Sequence, residues 1–334
     1  MKKILNSADK VVREMLEGFV AAHGDRVALL EHNNVIVRRE LRPGKVALIS
    51  GGGSGHEPAH AGFVGRGMLD AAVSGEVFTS PTPDEVLAGV RVLAEAAGGA
   101  GVLMIIKNYA GDVMNFEMAA EIAEGEGARV AKVIVNDDVA VEDSTYTTGR
   151  RGIAGTVFVH KIAGAAAERG DDLEAVARVA KKVISNVRSK GVGLSPCTVP
   201  AVGKPTFELA EDEMEIGLGI HGEPGVRRGK LIPASEIAAD LFGSAAADLG
   251  LGLGERIAVL VNGLGATPLM EMYVLAREVA LLAAGRGLAV HRIYVKEFMT
   301  SLEMAGASIS LLRLDDELAE LLDAPADTPA FVQF

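Results

Sequence analysis

The sequence predicts a two-domain α/β protein, with a mainly parallel sheet flanked by helices in the first domain and a smaller mixed α/β layer in the second. Three observations point there. Runs at residues 46–49, 102–106 and 130–135 are apolar or nearly so and alternate with stretches of helical spacing, the pattern of strands covered on both faces of a parallel sheet. Residues 191–204 are almost uncharged and carry Pro196 and Pro200, a change of texture that divides domain 1–190 from domain 191–334. Residues 214–220 then alternate with period two, as a half-buried strand does.

The elements follow in order. Val11, Val12, Met15, Leu16, Phe19 and Val20 have helical spacing, and Asn6 or Ser7 can cap that helix. Short strands are expected near residues 27–30 and 35–37. The strand at 46–49 leads into GGGSGHEPAH, residues 51–60. Four glycines in five residues predict a loop whose backbone can approach a ligand closely. His56 then falls at the end of a strand, where open α/β sheets bind their ligands. Ser-Pro-Thr-Pro at 80–83 announces a helix over 84–97, and the strand at 102–106 ends at KNYAGD. A helix over 113–123, a strand over 130–135 and an acidic turn at 136–138 come next, then two Ala-rich helices over 156–169 and 173–188. In the second half the pattern predicts helices over 235–247 and 268–284, a glycine-rich hinge at 249–254, and strands at 257–261, 289–295 and 308–314.

Composition narrows the function. With 334 residues, 49% of them hydrophobic, the chain can bury a sizeable core. A net charge of −12 opposes non-specific binding to nucleic acid or anionic lipid, and 4% aromatics without tryptophan argue against a base-stacking surface. The lone Cys197 excludes an internal disulfide. Neither a signal-peptide core nor a charge-free run of membrane-spanning length is present, so a cytoplasmic protein without membrane partners is expected.

No P-loop and no GxSxG elbow occurs. Gly217, Gly219 and Gly222 satisfy GxGxxG, but Pro224 and Gly225 follow where a helix should start. His56 to His60 spells HExxH, which binds zinc only on a continuous helix. Pro58 fits best at a first helical position, which leaves His56 in the loop. Asp112 precedes an apolar-periodic helix, where aspartate commonly caps, and equally lies at a strand's C-terminal end. Lys107 reads as a solvated end-of-strand lysine or as a donor to a substrate oxygen. His221 ends the alternating strand and enters a Gly-Glu-Pro-Gly turn that suits close approach of a ligand. Arg150 and Arg151 begin a helix or bind an anion, the helix start being the simpler reading. His23, His32, His160 and His291 receive no role.

GGGSGHEPAHAGFVGRGML, SGEVFTSPTPDEV, IIKNYAGDVMNFEMA, DDVAVEDSTYTTGRRGIAGT, CTVPAVGKPTFELAEDEMEIGLGIHGEPG and LVNGLGATPLMEMY together resemble the dihydroxyacetone kinase family, in its ketone-binding subunit or domain, along nearly the whole chain. The resemblance implies that His221 adds to the substrate carbonyl as a hemiaminal. Such a tether selects ketones and aldehydes over glycerol and fixes the terminal hydroxyl for attack. It also implies activity that falls at acidic pH, since the imidazole must be neutral. Asp112 matches the carboxylate that takes the hydroxyl's proton. His56 matches a second histidine that hydrogen-bonds substrate or accepts a proton. Gly53, Ser54, Gly55, Ser80 and Lys107 match positions around the substrate's oxygens.

The family fold is two α/β domains that dimerise. No metal or nucleotide is expected on this chain. ADP or ATP with magnesium is expected on a helical kinase subunit, and a chain stopping at Phe334 resembles the stand-alone subunit of the phosphoenolpyruvate-dependent phosphotransferase system. Dihydroxyacetone or a close short ketose is then the substrate. Residues 234–254 are shorter and richer in Ala and Gly than the family pattern. A non-catalytic, ketone-binding co-regulator of transcription is the alternative within the family.

Overall fold

The computed structural model describes residues 2–142 and 148–334; residues 143–147 of the DDVAVEDSTYTTGRRGIAGT motif lie outside the described residues. Contacts divide the chain into two units. The first comprises residues up to Ile134, Val159–Lys182 and Glu320–Phe334, and the second comprises Val135–Phe158 and Val183–Ala319.

The first unit holds a six-stranded sheet, order β1-β2-β4-β3-β5-β6, of β1 (Val27–Leu29), β2 (Val35–Arg38), β3 (Ala47–Ser54), β4 (Ala71–Val77), β5 (Val102–Lys107) and β6 (Val130–Val135). β3 pairs in parallel with β4 on one side and β5 on the other, while β2 runs antiparallel to both β1 and β4. The C-terminal ends of β3, β4 and β5 therefore face the same way. Helices α1 (Val11–His23), α2 (Pro83–Ala97) and α3 (Ala110–Gly125) complete this run of chain. α2 forms where expected because Pro83 follows a Thr82 cap whose hydroxyl accepts from the Glu85 N–H, and Gly98 ends it at φ +56°. The core beneath is Val35, Ile49, Val73, Val90, Met104 and Phe116 with their neighbours.

The glycines at 51–53 are strand, not the loop the sequence predicts: β3 runs through them to Ser54. They are needed for close approach rather than for looseness. A Cβ at Gly53 would lie 2.6 Å from the Thr79 nitrogen and 2.8 Å from the Phe78 backbone. We expect Gly53→Ala to lower unfolding free energy by about 3 kcal/mol in urea titration, since main chain cannot give way as a side-chain tip can.

Chain then passes through α4 (Thr156–Arg169) and α5 (Leu173–Asn186). The second unit's sheet has order β11-β10-β12-β7-β8-β9, with β7 (Val187–Gly193), β8 (Glu213–Ile216), β9 (Arg227–Lys230), β10 (Arg256–Gly263), β11 (Ala289–Lys296) and β12 (Gly306–Leu314). It is mixed, as expected: β10 is parallel to β11 and antiparallel to β12. Like the first sheet, it has six strands. Helices α6 (Ala234–Leu249) and α7 (Leu269–Gly285) pack on each other, over a core that includes Ile216, Phe242, Val259, Val279 and Ile309. After β12 come α8 (Asp316–Asp323), β13 (Ala326–Asp327) and β14 (Val332–Gln333).

The expected division at 190/191 differs from the one observed. Helical spacing expected to reach Arg188 stops at Asn186, because Val187–Gly193 pairs antiparallel with β12. Residues 320–334 return to the first unit, where Asp327 bridges Arg66. The alternating run expected over 214–220 is strand only to Ile216; Gly217, at φ +79°, turns the chain toward His221.

Candidate active site

The two units carry different parts of the predicted site. In the first, the ends of β3, β4 and β5 supply Gly53 to His60, Phe78 to Ser80, and Lys107 to Asp112. Glu57–His60 is a turn and the next helical piece is a 3-10 turn at Ala61–Phe63. Pro58 therefore starts no helix, and the one-turn spacing that HExxH needs for zinc is not formed.

Asp112 is not a cap. The helix starts at Ala110 with Tyr109 before it, so Asp112 lies in the first turn, where the positive end of the helix dipole favours a carboxylate. It is buried, with its Oδ2 3.5 Å from the Lys107 ammonium. Lys107 is 1% exposed, which rules out the solvated reading. Its Nζ donates to the Gly51 carbonyl at 2.9 Å and lies 3.1 Å from the His60 Nε2. Gly52 lies against this pair: a Cβ there would meet Lys107 Nζ and come within 3.3 Å of Asp112 Oδ2. Burial draws the Lys107 pKa below its ordinary value, against the pull of Asp112.

His56 is fully buried and stacks on Phe78, with ring centroids 5.1 Å apart and planes 17° from parallel. Phe78 holds φ at +58°, a conformation non-glycine residues adopt only where neighbours enforce it. The Ser54 hydroxyl donates to the Gly75 carbonyl at 2.7 Å, and the Gly55 N–H donates to the Glu57 carboxylate at 3.1 Å. Ser80 is half-buried against the start of α3, where a Cβ on Gly111 would lie 2.7 Å from its hydroxyl. The first unit thus brings together Gly53, Ser54, Gly55, His56, Ser80, Lys107 and Asp112 at one edge of its sheet, the edge where parallel strands end.

His60 and His160, given no role on sequence grounds, extend the cluster. His60 Nδ1 lies 3.0 Å from His160 Nε2, and both rings are buried. Burial, followed by the Lys107 charge, draws both pKa values down, that of His160 to about 3 and that of His60 well below the imidazole range. A histidine neutral when folded but able to protonate when unfolded stabilises above its free pKa, 6.5, and loses that contribution as pH falls toward 3. Asp138 of the second unit, raised by burial to about 6, acts in the opposite sense, so the comparison must be between variants. Between about pH 7.5 and about pH 5.5, wild type should lose about 1.4 kcal/mol more stability than His160→Gln, measured by urea unfolding at each pH.

The second unit carries His221. Its side chain is 19% exposed and its Nδ1 lies 3.1 Å from Glu223 Oε1. The His221 N–H donates to Glu223 Oε2 at 2.9 Å, so one carboxylate fixes both backbone and ring. Burial raises the Glu223 pKa, but the hydrogen bond from His221 and the charges of His221 and Arg151 outweigh it and leave about 2. Arg151 begins no helix: α4 starts at Thr156, and the Arg151 guanidinium is fully buried. It donates from Nε to Asp138 at 2.8 Å and from Nη2 to the Gly217 carbonyl at 2.8 Å. Gly219 allows this packing, since a Cβ there would strike the Glu223 carboxylate and lie 2.6 Å from Arg151 Nη1.

The dyad has a chemical consequence. With Nδ1–H donating to an ionised Glu223, a neutral ring carries its lone pair on Nε2. Glu223 and Arg151 stand around His221; sequence reasoning gave Glu223 no role and read Arg151 as a helix start. The HGEPG turn, with a carboxylate two residues after a histidine, was the available signal.

The chain is similar to known proteins along nearly its whole length. The description of the Dak1 domain fits residues 17–330. The chain is 56% identical over 332 residues to the dihydroxyacetone-binding subunit DhaK of the PTS-dependent dihydroxyacetone kinase 1 of Listeria innocua, spanning 99% of this chain and 100% of that protein. Among solved structures it is similar to the native dihydroxyacetone kinase of C. freundii, at TM-score 0.90 and 37% identity, covering 99% of this chain and 60% of that one. A dihydroxyacetone kinase operon co-activator, Dha-DhaQ, superposes at TM-score 0.90 with 36% identity over 96% of this chain and 98% of that one. Among the described residues no helix is long and apolar enough to cross a membrane. From its glycine-bearing strand to its HGEPG turn, the chain belongs to the Dak1 domain family.

Proposed function

We propose that this chain is the substrate-binding subunit of a dihydroxyacetone kinase, and that it captures dihydroxyacetone, or a similar short ketose, covalently on His221. The observation that carries this reading is the Glu223–His221 pair, which orders the ring so that Nε2 is the nucleophile. Nε2 gives its electron pair to the carbonyl carbon, and the C=O π pair moves onto oxygen, which takes up a proton. The imidazolium formed loses its Nδ1 proton to solvent by way of Glu223, which ends ionised as it began, while solvent supplies the proton that the oxygen takes up. The net change is one N–C bond and one O–H bond for one C=O π bond and one N–H bond. An ionised Glu223 stabilises the charge that develops on the ring during addition.

The terminal hydroxyl of the bound ketose then attacks the donor's γ-phosphorus. Its proton passes to Asp112, whose neighbour Lys107 offers a counter-charge, while His56 holds a substrate oxygen. Gly53, Ser54, Gly55 and Ser80 surround the remaining oxygens. The phosphoryl group comes from a helical partner subunit that carries ADP or ATP with magnesium and is recharged through the phosphoenolpyruvate-dependent relay. Homodimers of this chain work in the cytoplasm with that partner. The subunit names of the relatives and the joint presence of His56, Asp112 and His221 support this reading.

The test is a reconstituted assay with a nucleotide-loaded kinase subunit. Dihydroxyacetone phosphate forms only when both subunits are present. Tight ketone binding without turnover supports a co-regulator instead. Replacing Glu223 with Gln should weaken ketone binding about 10- to 100-fold in titration calorimetry, the factor expected for losing a charge-assisted hydrogen bond of about 1.5–3 kcal/mol.

A further inference from the structure

Beside Lys107, the first unit holds two buried histidines in contact with each other that the proposed reaction does not use. Lys107 at the end of β5, His60 in the turn after β3 and His160 on α4 stand in line, at 3.1 Å and 3.0 Å. All three are buried, His160 completely. Among the described residues, the other titratable groups whose charge bears on these three are Asp112 on α3 and His56 in the turn that holds His60.

The order of protons along the line follows from counting donors. An ammonium has three N–H groups and no acceptor. Around Lys107 Nζ stand three acceptors: the Gly51 carbonyl, Asp112 Oδ2 and His60 Nε2. His60 must then accept at Nε2 and carry its proton on Nδ1. That proton points at His160 Nε2, so His160 too accepts at Nε2 and carries its proton on Nδ1. His160 Nδ1 has no hydrogen-bond partner among the described residues. Reversing both rings would relieve that buried N–H, but it would set an Nε2–H of His60 against the ammonium. A bond donated by a charged group is the stronger one, so the ammonium sets the direction.

We propose that His60 and His160 are positioning residues: a pair of neutral imidazoles in fixed proton order that holds Lys107 as an ammonium directed at Gly51 and Asp112. The part that concerns turnover rests on the kinase reading; the proton order does not. Lys107 keeps three acceptors only if His60 Nε2 is bare, and His160 makes His60 that acceptor. Without His160 the His60 ring is released to turn or to change tautomer, and Lys107 loses its third partner.

The proton order is read by ¹⁵N NMR of the histidine-labelled full chain, alone and without ketose, with the two rings assigned from His60→Asn and His160→Gln spectra. Both rings should show protonated Nδ1 and bare Nε2, unchanged from about pH 5.5 to about pH 8. A His60 ring protonated at Nε2, or either ring titrating across that range, overturns the proposal. Turnover is read with His160→Gln, whose amide oxygen can stand where Nε2 stood, and His160→Leu, which has no acceptor. The leucine variant should lose at least about tenfold in kcat, with its basic limb displaced to lower pH by about one unit and KM for ketose within about threefold. The glutamine variant should keep the wild-type profile. A leucine variant with the wild-type basic limb overturns the positioning role. Should the leucine variant fail to fold, the tautomers of the wild-type rings decide. Absence of turnover in wild type would count against the kinase reading and leave the NMR result to judge the proton order.

Discussion

His221→Ala should abolish covalent ketone capture and lower turnover of the reconstituted kinase by about 10³-fold or more, because it removes both the bond and the positioning that the bond provides. The expectation rests on how this ring is held. Its backbone N–H and its Nδ1 both bind Glu223, so the ring has one orientation and one tautomer. Its side chain stays 19% exposed, enough for a small ketose to reach it. Alanine leaves Glu223 beside Arg151, whose charge still compensates the carboxylate, so the fold should persist with an unchanged circular dichroism spectrum. Mass spectrometry after borohydride treatment should find the ketose-sized increment on wild type and none on the variant. Retention of the increment by His221→Ala would place capture on another residue.

Asp112→Asn separates capture from phosphoryl transfer. The amide has the carboxylate's shape and still offers Lys107 an oxygen, so the first turn of α3 and the lysine's three partners survive. What it loses is the ability to take up the hydroxyl's proton. Turnover should fall about 10²- to 10⁴-fold, the range for removing a general base, while the adduct on His221 forms as in wild type. Full activity in Asp112→Asn would move the base role to His56. Loss of the adduct as well would show that Asp112 acts in binding.

The architecture was legible where local chemistry speaks for itself. α2 declares its limits through Thr82, Pro83 and Gly98, and the apolar strand β5 could be little else. β3 was read short because three glycines look like a loop. Only the nearness of β4 and of the 78–79 backbone shows why a strand there must lack side chains. The first two residues of β7 were read as helix because helical spacing runs on to Arg188, and pairing with β12 overrides it. The sites divide in the same way. His56, Asp112 and His221 stood out by their place after strands and in turns. Burial does not show in the order of residues, so Lys107 stayed open between a solvated and a functional reading, Arg151 passed as a helix start, and His160 as inert. His60 and His160 are a hundred positions apart in sequence, and only the fold sets their rings 3.0 Å from each other.

Carbon-13 NMR of the protein mixed with dihydroxyacetone labelled at its carbonyl carbon bears most directly on the central claim. The account predicts that the bound signal leaves the carbonyl region for that of a tetrahedral carbon bonded to nitrogen and oxygen, and that this signal is missing with His221→Ala. A ketose that binds while its carbon keeps a carbonyl shift would contradict it.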